Sequence, residues 1–157
     1  MTELNFLNSL LENRSILINQ EANDWKDAIT ACFQPLLKNG VISEEYIKGV
    51  IDSTLKYGPY YIICPNVAMP HASSESGALK NGFSIMTLKK PVLFDKQEIS
   101  VLIGFAAVNS EVHMTVALPQ IVAIFENEST VDKIANSKSE EELKKIIEGV
   151  DFLKYLK

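Results

Sequence analysis

The run ISVLIGFAAV, Ile99 to Val108, carries no charge and is apolar at odd and even positions alike. Successive side chains of a strand point to opposite faces, so a run apolar on both faces must be covered on both. Its longest apolar stretch, Val101 to Val108, is far short of the roughly 18 residues a membrane-spanning helix needs, so the cover is protein. The run therefore predicts a central strand with helices packed on each side. A chain of 157 residues, 46% hydrophobic and 22% charged, is long and apolar enough to build that core as a single domain, 1–157.

The flanking patterns supply the covering elements. Leu4, Leu7 and Leu11 recur at helical spacing, and SILI (Ser15 to Ile18) is a short β-rich run. Trp25, Ala28, Ile29, Cys32, Phe33, Leu36 and Leu37 share one helix face that Asn39-Gly40 ends, with Pro35 tightening the last turn. Ser43 is placed to cap a second helix with Ile47, Val50, Ile51 and Leu55 inward, stopped by Gly58-Pro59. YYIIC (Tyr60 to Cys64) and GFSIMTL (Gly82 to Leu88) read as strands. Ser110 is placed to cap a helix whose stripe is Met114, Ala117, Leu118, Ile121, Val122 and Phe125, kinked by Pro119. Helices from Ser129 and Ser139 follow, the latter with Glu142 placed for a capping box. This order predicts an α/β fold, a three-layer sandwich with a central mixed sheet of about five strands and helices on both faces.

Charge and cysteine content narrow the function. A formal charge of -5, without a Lys/Arg block, offers no footprint for nucleic acid or an anionic bilayer. The start has no basic leader before an apolar core, so a cytoplasmic protein without direct membrane insertion is expected. Cys32 and Cys64 lack metal-site or disulfide-framework spacing. Cys64, seven residues before a histidine, invites a Cys-His nucleophile reading, but a cysteine closing an apolar strand reads better as an inert thiol.

The two histidines carry the chemistry. His71 follows Pro70, whose ring sets φ near -65° and keeps Met69 extended, so the imidazole projects from a stiff loop at a strand end. His113 falls in the first turn of the helix after the central strand, where the positive dipole end favours anions and a neutral ring. If both strand ends point the same way, the two face one shallow pocket. The loop adds the hydroxyls of Ser73, Ser74 and Ser76, which suit phosphate oxygens. With no P-loop and no carboxylate cluster for magnesium, this set fits a phosphoryl group held on a histidine nitrogen.

VAMPHA (Val67 to Ala72), then SVLIGFAAV, then a histidine 42 residues after the first, resembles the enzyme IIA domain of the bacterial phosphoenolpyruvate-dependent sugar phosphotransferase system, mannitol/fructose superfamily. DWKDAI (Asp24 to Ile29), YGPYYIICPNVAMPHA and LIGFAAV are most similar to its ascorbate-type members. The resemblance implies a mannitol enzyme IIA-like fold and a cytosolic phosphocarrier. HPr would donate a phosphoryl group to Nε2 of His71, which would pass it to a cysteine of the cognate enzyme IIB, with membrane enzyme IIC served indirectly. It implies that His113 stabilises the phosphoryl group, that Ser73 contacts it, and that the protein holds neither cofactor nor metal. The sugar is selected by the membrane component, so ascorbate is a reading of resemblance alone.

One departure stands out. Mannitol-type members carry an arginine on the helix before the motif, whereas this chain reads IDSTLKYG (Ile51 to Gly58), and its only arginine is Arg14. Lys56 is a candidate substitute, though a lysine in a last helical turn is ordinarily a dipole partner. Apolar residues around Met69 and Met86 are candidates for an HPr-binding rim. The acidic run SEEELKK (Ser139 to Lys145) reads as a solvated helix face. Two other functions stay open at this point: an enzyme IIA-like regulatory module whose histidine phosphorylation controls a partner, and a histidine-dependent hydrolase or ligand-binding domain on the same fold.

Overall fold

A computed structural model describes residues 5–62 and 64–151, apart from the side chains of 113 and 114. Among these residues four strands, β1 (Ile16–Gln20), β2 (Asn66–Ala68), β3 (Gly82–Phe94) and β4 (Gln97–Ala106), form one mixed sheet in the order β1-β3-β4-β2. The sheet is thus one strand narrower than expected. β3 and β4 are an antiparallel hairpin turned at Asp95 (φ 59), while β1 runs parallel to β3 and β2 parallel to β4.

The apolar run behaves as its pattern demands. Val101, Leu102, Ile103, Phe105 and Ala106 are buried, on both faces of an interior strand. One face is covered by α2 (Trp25–Lys38) and α3 (Glu44–Tyr57), the other by α1 (Phe6–Asn13) and the helices after β4. Neighbouring residues of β3 report the two sides. Ser84 meets the Cys32 thiol of α2 at 3.3 Å, whereas Phe83 packs against Phe6 of α1 with tilted rings 4.8 Å apart. Gly104 lies against Phe33, where a Cβ would stand 3.1 Å from the ring, so α2 packs directly on β4. Three layers result, as expected.

After β4 the chain forms one irregular helix: a short α4 (Ser110–Val112), a π turn over His113–Ala117, and α5 (Leu118–Phe125). Pro119 has no N–H to donate to the preceding turn, and the wide turn just before it absorbs that loss in place of a sharp kink. α6 (Glu128–Ala135) and α7 (Glu140–Glu148) close the layer.

Several local expectations are corrected. YYIIC is not a strand: Tyr60 and Tyr61 lie in a turn, Ile63 is outside the described residues, and the edge strand begins at Asn66. Aromatic and β-branched composition favours extended backbone, but Pro59 and the bond from Ile62 N–H to the Pro59 carbonyl (3.2 Å) turn the segment. In α1 the buried apolar residues are Phe6 and Leu10, with Leu11 46% exposed, and Leu4 is outside the described residues. Leu55 is exposed, and Tyr46 and Thr54 take inner positions of α3 instead. Asn109, not Ser110, caps the helix after β4, its Oδ1 accepting from Val112 N–H. Asn127 caps α6, which begins at Glu128, one residue ahead of the expected start at Ser129. Ser139 caps α7 as expected, while Glu142 reaches the Lys138 N–H in place of Ser139's own. No helix among the described residues is long and apolar enough to cross a membrane.

Candidate functional site

Parallel pairing of β2 with β4 carries both strands to the same end of the sheet, the condition under which the two histidine segments meet. Val67 pairs with Val101 and Ala68 with Leu102. Continued past the end of β2, that register brings His71 beside Phe105, and their rings lie 4.7 Å apart. His71 then lines an open groove of about 740 Å³ with Tyr60, Ser73, Ser74, Glu75 and the turn Ala107–Ser110. His113 follows three residues after Ser110, at the start of the π turn, and its side chain lies outside the described residues.

The imidazole is oriented by its own loop. Nδ1 of His71 lies 2.8 Å from the Met69 carbonyl oxygen. A carbonyl only accepts, so Nδ1 carries the proton and Nε2 carries the in-plane lone pair. Proline between donor and acceptor makes this bond local and cheap to hold, since φ at Pro70 is already set. Aromatic rings box the imidazole: Phe105 at a 32° tilt, Tyr60 edge-on at 5.9 Å and Tyr61 at 6.4 Å. Burial raises the Tyr60 hydroxyl above its ordinary range and pushes Tyr61 up to about 12, so both stay neutral donors at physiological pH. Tyr61 donates to the Thr54 hydroxyl (2.8 Å), which itself donates to the Val50 carbonyl (2.8 Å).

The serines divide. Ser73 and Ser74 line the groove, while Ser76 pairs its hydroxyl with that of Ser73 at 3.1 Å behind them. The loop is seated on α3 by close backbone approach. Gly77 has φ 126, and a Cβ there would collide with the Ser43 hydroxyl; a Cβ on Gly49 would stand 3.1 Å from that of Ser76.

Other candidates fall away from the groove. Cys64 is half-buried, its thiol raised by desolvation and by Glu128, so it is a poor nucleophile. Lys56 places its amine over the Tyr57 ring at 5.2 Å, and Arg14 ends α1 beside the far edge strand, β1. Among the described residues the groove lining contains Glu75 and neither lysine nor arginine. Met69 and Met86 are buried; the apolar residues exposed at the groove are Tyr60 and Val108. Nothing in local periodicity separated buried from rim methionines. Among the described residues no group of three or more His, Cys, Asp or Glu side chains forms a metal site.

Known proteins are similar to this chain along nearly its whole length. The family described as "Phosphoenolpyruvate-dependent sugar phosphotransferase system, EIIA 2" matches residues 9–150. The ascorbate-specific PTS system EIIA component of Mycoplasma pneumoniae is 39% identical over 158 residues, covering 99% of each chain. The crystal structure of a PTS IIA (PtxA) from Streptococcus mutans superposes with a TM-score of 0.93 at 40% identity, over 98% of this chain and 99% of that one. Escherichia coli mannitol enzyme IIA, solved in complex with its phosphorylated enzyme IIB, superposes with a TM-score of 0.73 at 25% identity, over 86% and 94%. With a histidine groove at the ends of two parallel strands and relatives matched end to end, the chain belongs to the EIIA 2 family of the phosphoenolpyruvate-dependent sugar phosphotransferase system.

Proposed function

We propose that the chain is a single cytosolic enzyme IIA domain, 1–157, in which His71 accepts a phosphoryl group from phospho-HPr and passes it to a cysteine of a cognate enzyme IIB, for uptake of ascorbate or a related acid sugar. The observation that supports this best is the His71 ring itself. Its proton is committed to the Met69 carbonyl through Nδ1, so the nucleophilic lone pair is on Nε2. In the first half-reaction the N–P bond of phospho-HPr breaks as the Nε2–P bond forms. The ring gains positive charge, which the Met69 carbonyl stabilises through the retained Nδ1 proton. In the second half-reaction the cysteine thiolate attacks, its sulfur–phosphorus bond forming as the Nε2–P bond breaks, and the bond's electron pair returns to Nε2. The positive charge on the phosphorylated ring makes it a good leaving group, because it departs as neutral imidazole. His113, from the helix turn beside the groove, stabilises the phosphoryl oxygens in flight, with the Ser73 hydroxyl as a second contact. An open groove suits a site that meets two protein partners in turn, and the mannitol relative solved with its enzyme IIB supports enzyme IIB as the acceptor.

Intact-mass measurement after mixing the protein with phosphoenolpyruvate, magnesium, enzyme I and HPr tests the reading. One acid-labile phosphate is expected on the wild type, none on His71→Ala, and a phosphate that passes on at least tenfold more slowly on His113→Ala. An uncharged wild type beside charged HPr overturns it.

A further inference from the structure

We propose that Tyr46 and Tyr60 are positioning residues for phosphoryl transfer, together clamping the single peptide unit between His71 and Ala72 from opposite sides. The inference rests on His71 being the acceptor. Tyr60 donates its hydroxyl to the carbonyl oxygen of that peptide, His71 O, at 3.2 Å. The N–H of the same peptide, on Ala72, donates to the Tyr46 hydroxyl at 3.1 Å. C=O and N–H of a trans peptide point in opposite directions, so two hydroxyls arriving from the two sides fix the plane.

The anchors differ in kind. Tyr46 is 1% exposed on α3, with its ring edge-on to Phe33 at 5.7 Å, so its oxygen is fixed by the core. That oxygen lies 2.8 Å from the Phe105 carbonyl and 3.2 Å from the Ala72 carbonyl, and its single proton goes to the shorter contact. One buried hydroxyl thus ties the residue after His71 to the β4 residue whose ring lies against the imidazole. Burial raises the Tyr46 hydroxyl well above its ordinary range, so it stays a neutral donor. Tyr60 is half-exposed on the groove wall.

The clamped plane decides where Nε2 points. Pro70 sets the backbone before His71, but ψ of His71 is soft, and rotating it turns the 71–72 peptide relative to the imidazole. Without the clamp the loop is free to leave the geometry in which Nδ1 meets the Met69 carbonyl. Losing it exposes both ring nitrogens to the alternative tautomer and moves Nε2 off the line of attack.

The test uses the full chain as Tyr46→Phe, Tyr60→Phe, the double variant, and Ile134→Val, a buried change on α6 that serves as a stability control. Two readouts are taken: nitrogen-15 spectra of the His71 ring before phosphorylation, and rapid-quench rates from phospho-HPr across its concentration. Each tyrosine variant is expected to slow transfer at saturating HPr about tenfold, and Tyr46→Phe to leave the half-saturating HPr concentration unchanged. A second tautomer should appear in its ring spectrum. The double variant should fall well short of the product of the two losses, because either loss alone frees the one plane. Wild-type spectra and rates in both single variants, or slowing no greater than in Ile134→Val, overturn the proposal, as does a double variant that equals the product. If Tyr46→Phe does not fold, half-exposed Tyr60→Phe decides by the same criteria. A wild type that takes no phosphoryl group overturns the assigned function, and the ring spectra then decide the clamp on their own.

Discussion

A histidine becomes a nucleophile of defined geometry only when something chooses which nitrogen keeps the proton. In this chain the choice is made two residues away, by the Met69 carbonyl across Pro70. Pro70-His71 was legible as a stiff, projecting pair, because proline acts through its own ring and its immediate neighbour. The aromatic box was not, since Phe105 meets His71 only through strand pairing and Tyr60 only through an unforeseen turn. The cysteines obey the same division. Cys32 was legible as a core residue from its place in the α2 stripe, and its thiol is pushed up to about 11 by burial. Native protein at pH 8 should therefore show no iodoacetamide adduct on Cys32 and only a slow one on Cys64, with both labelled at equal rates in urea. Rapid native labelling of Cys32, read by peptide mass spectrometry, would contradict the buried thiol.

Elements with a single apolar stripe were the easiest to anticipate. α2 buries Ala28, Ile29, Cys32, Phe33 and Leu36, a large part of the face its spacing marked out. Short or two-sided elements were harder. β2 is three residues long, too short for a period of two to register, and the aromatic run before it carries the stronger strand pattern. Beyond Leu88, β3 runs on through Lys89, Lys90 and Pro91, residues whose composition argues against a strand. The irregular register between Thr87 and Val92 accommodates them. Caps are local and followed the sequence where the side chain has a reachable N–H. The Ser139 hydroxyl accepts from Glu142 N–H at 3.1 Å, so Ser139→Ala should lower stability by about 1 kcal/mol in urea melts and leave phosphorylation unchanged. A loss of phosphoryl transfer in that variant would mean that α7 communicates with the groove.

At the scale of the molecule, one buried core joins both faces of the sheet, and its titrating groups are neutral when buried. Cys32 has its folded pKa raised from 9.0 to about 11, and Tyr61 from 10.0 to about 12, in both cases chiefly by desolvation. A raised acid contributes stability below its unfolded pKa and loses it as pH climbs through the folded one. The melting temperature should hold steady from pH 7 to 9 and then fall toward pH 11, with Cys32→Ala flattening the first part of the decline. A flat profile to pH 11 in the wild type would overturn that linkage. The chain's periodicity was enough to set a two-faced central strand, its helical cover and a histidine on a proline-stiffened loop, because each is a property of neighbouring residues and the side they present to water. Only the tertiary structure decided that β2 and β4 run parallel and that Phe105 and two tyrosines surround His71. Those outcomes depend on which distant segments pair and in what register, and hydrogen bonds such as Ala72 N–H to the Tyr46 hydroxyl, or that hydroxyl to the Phe105 carbonyl, leave no trace in local spacing.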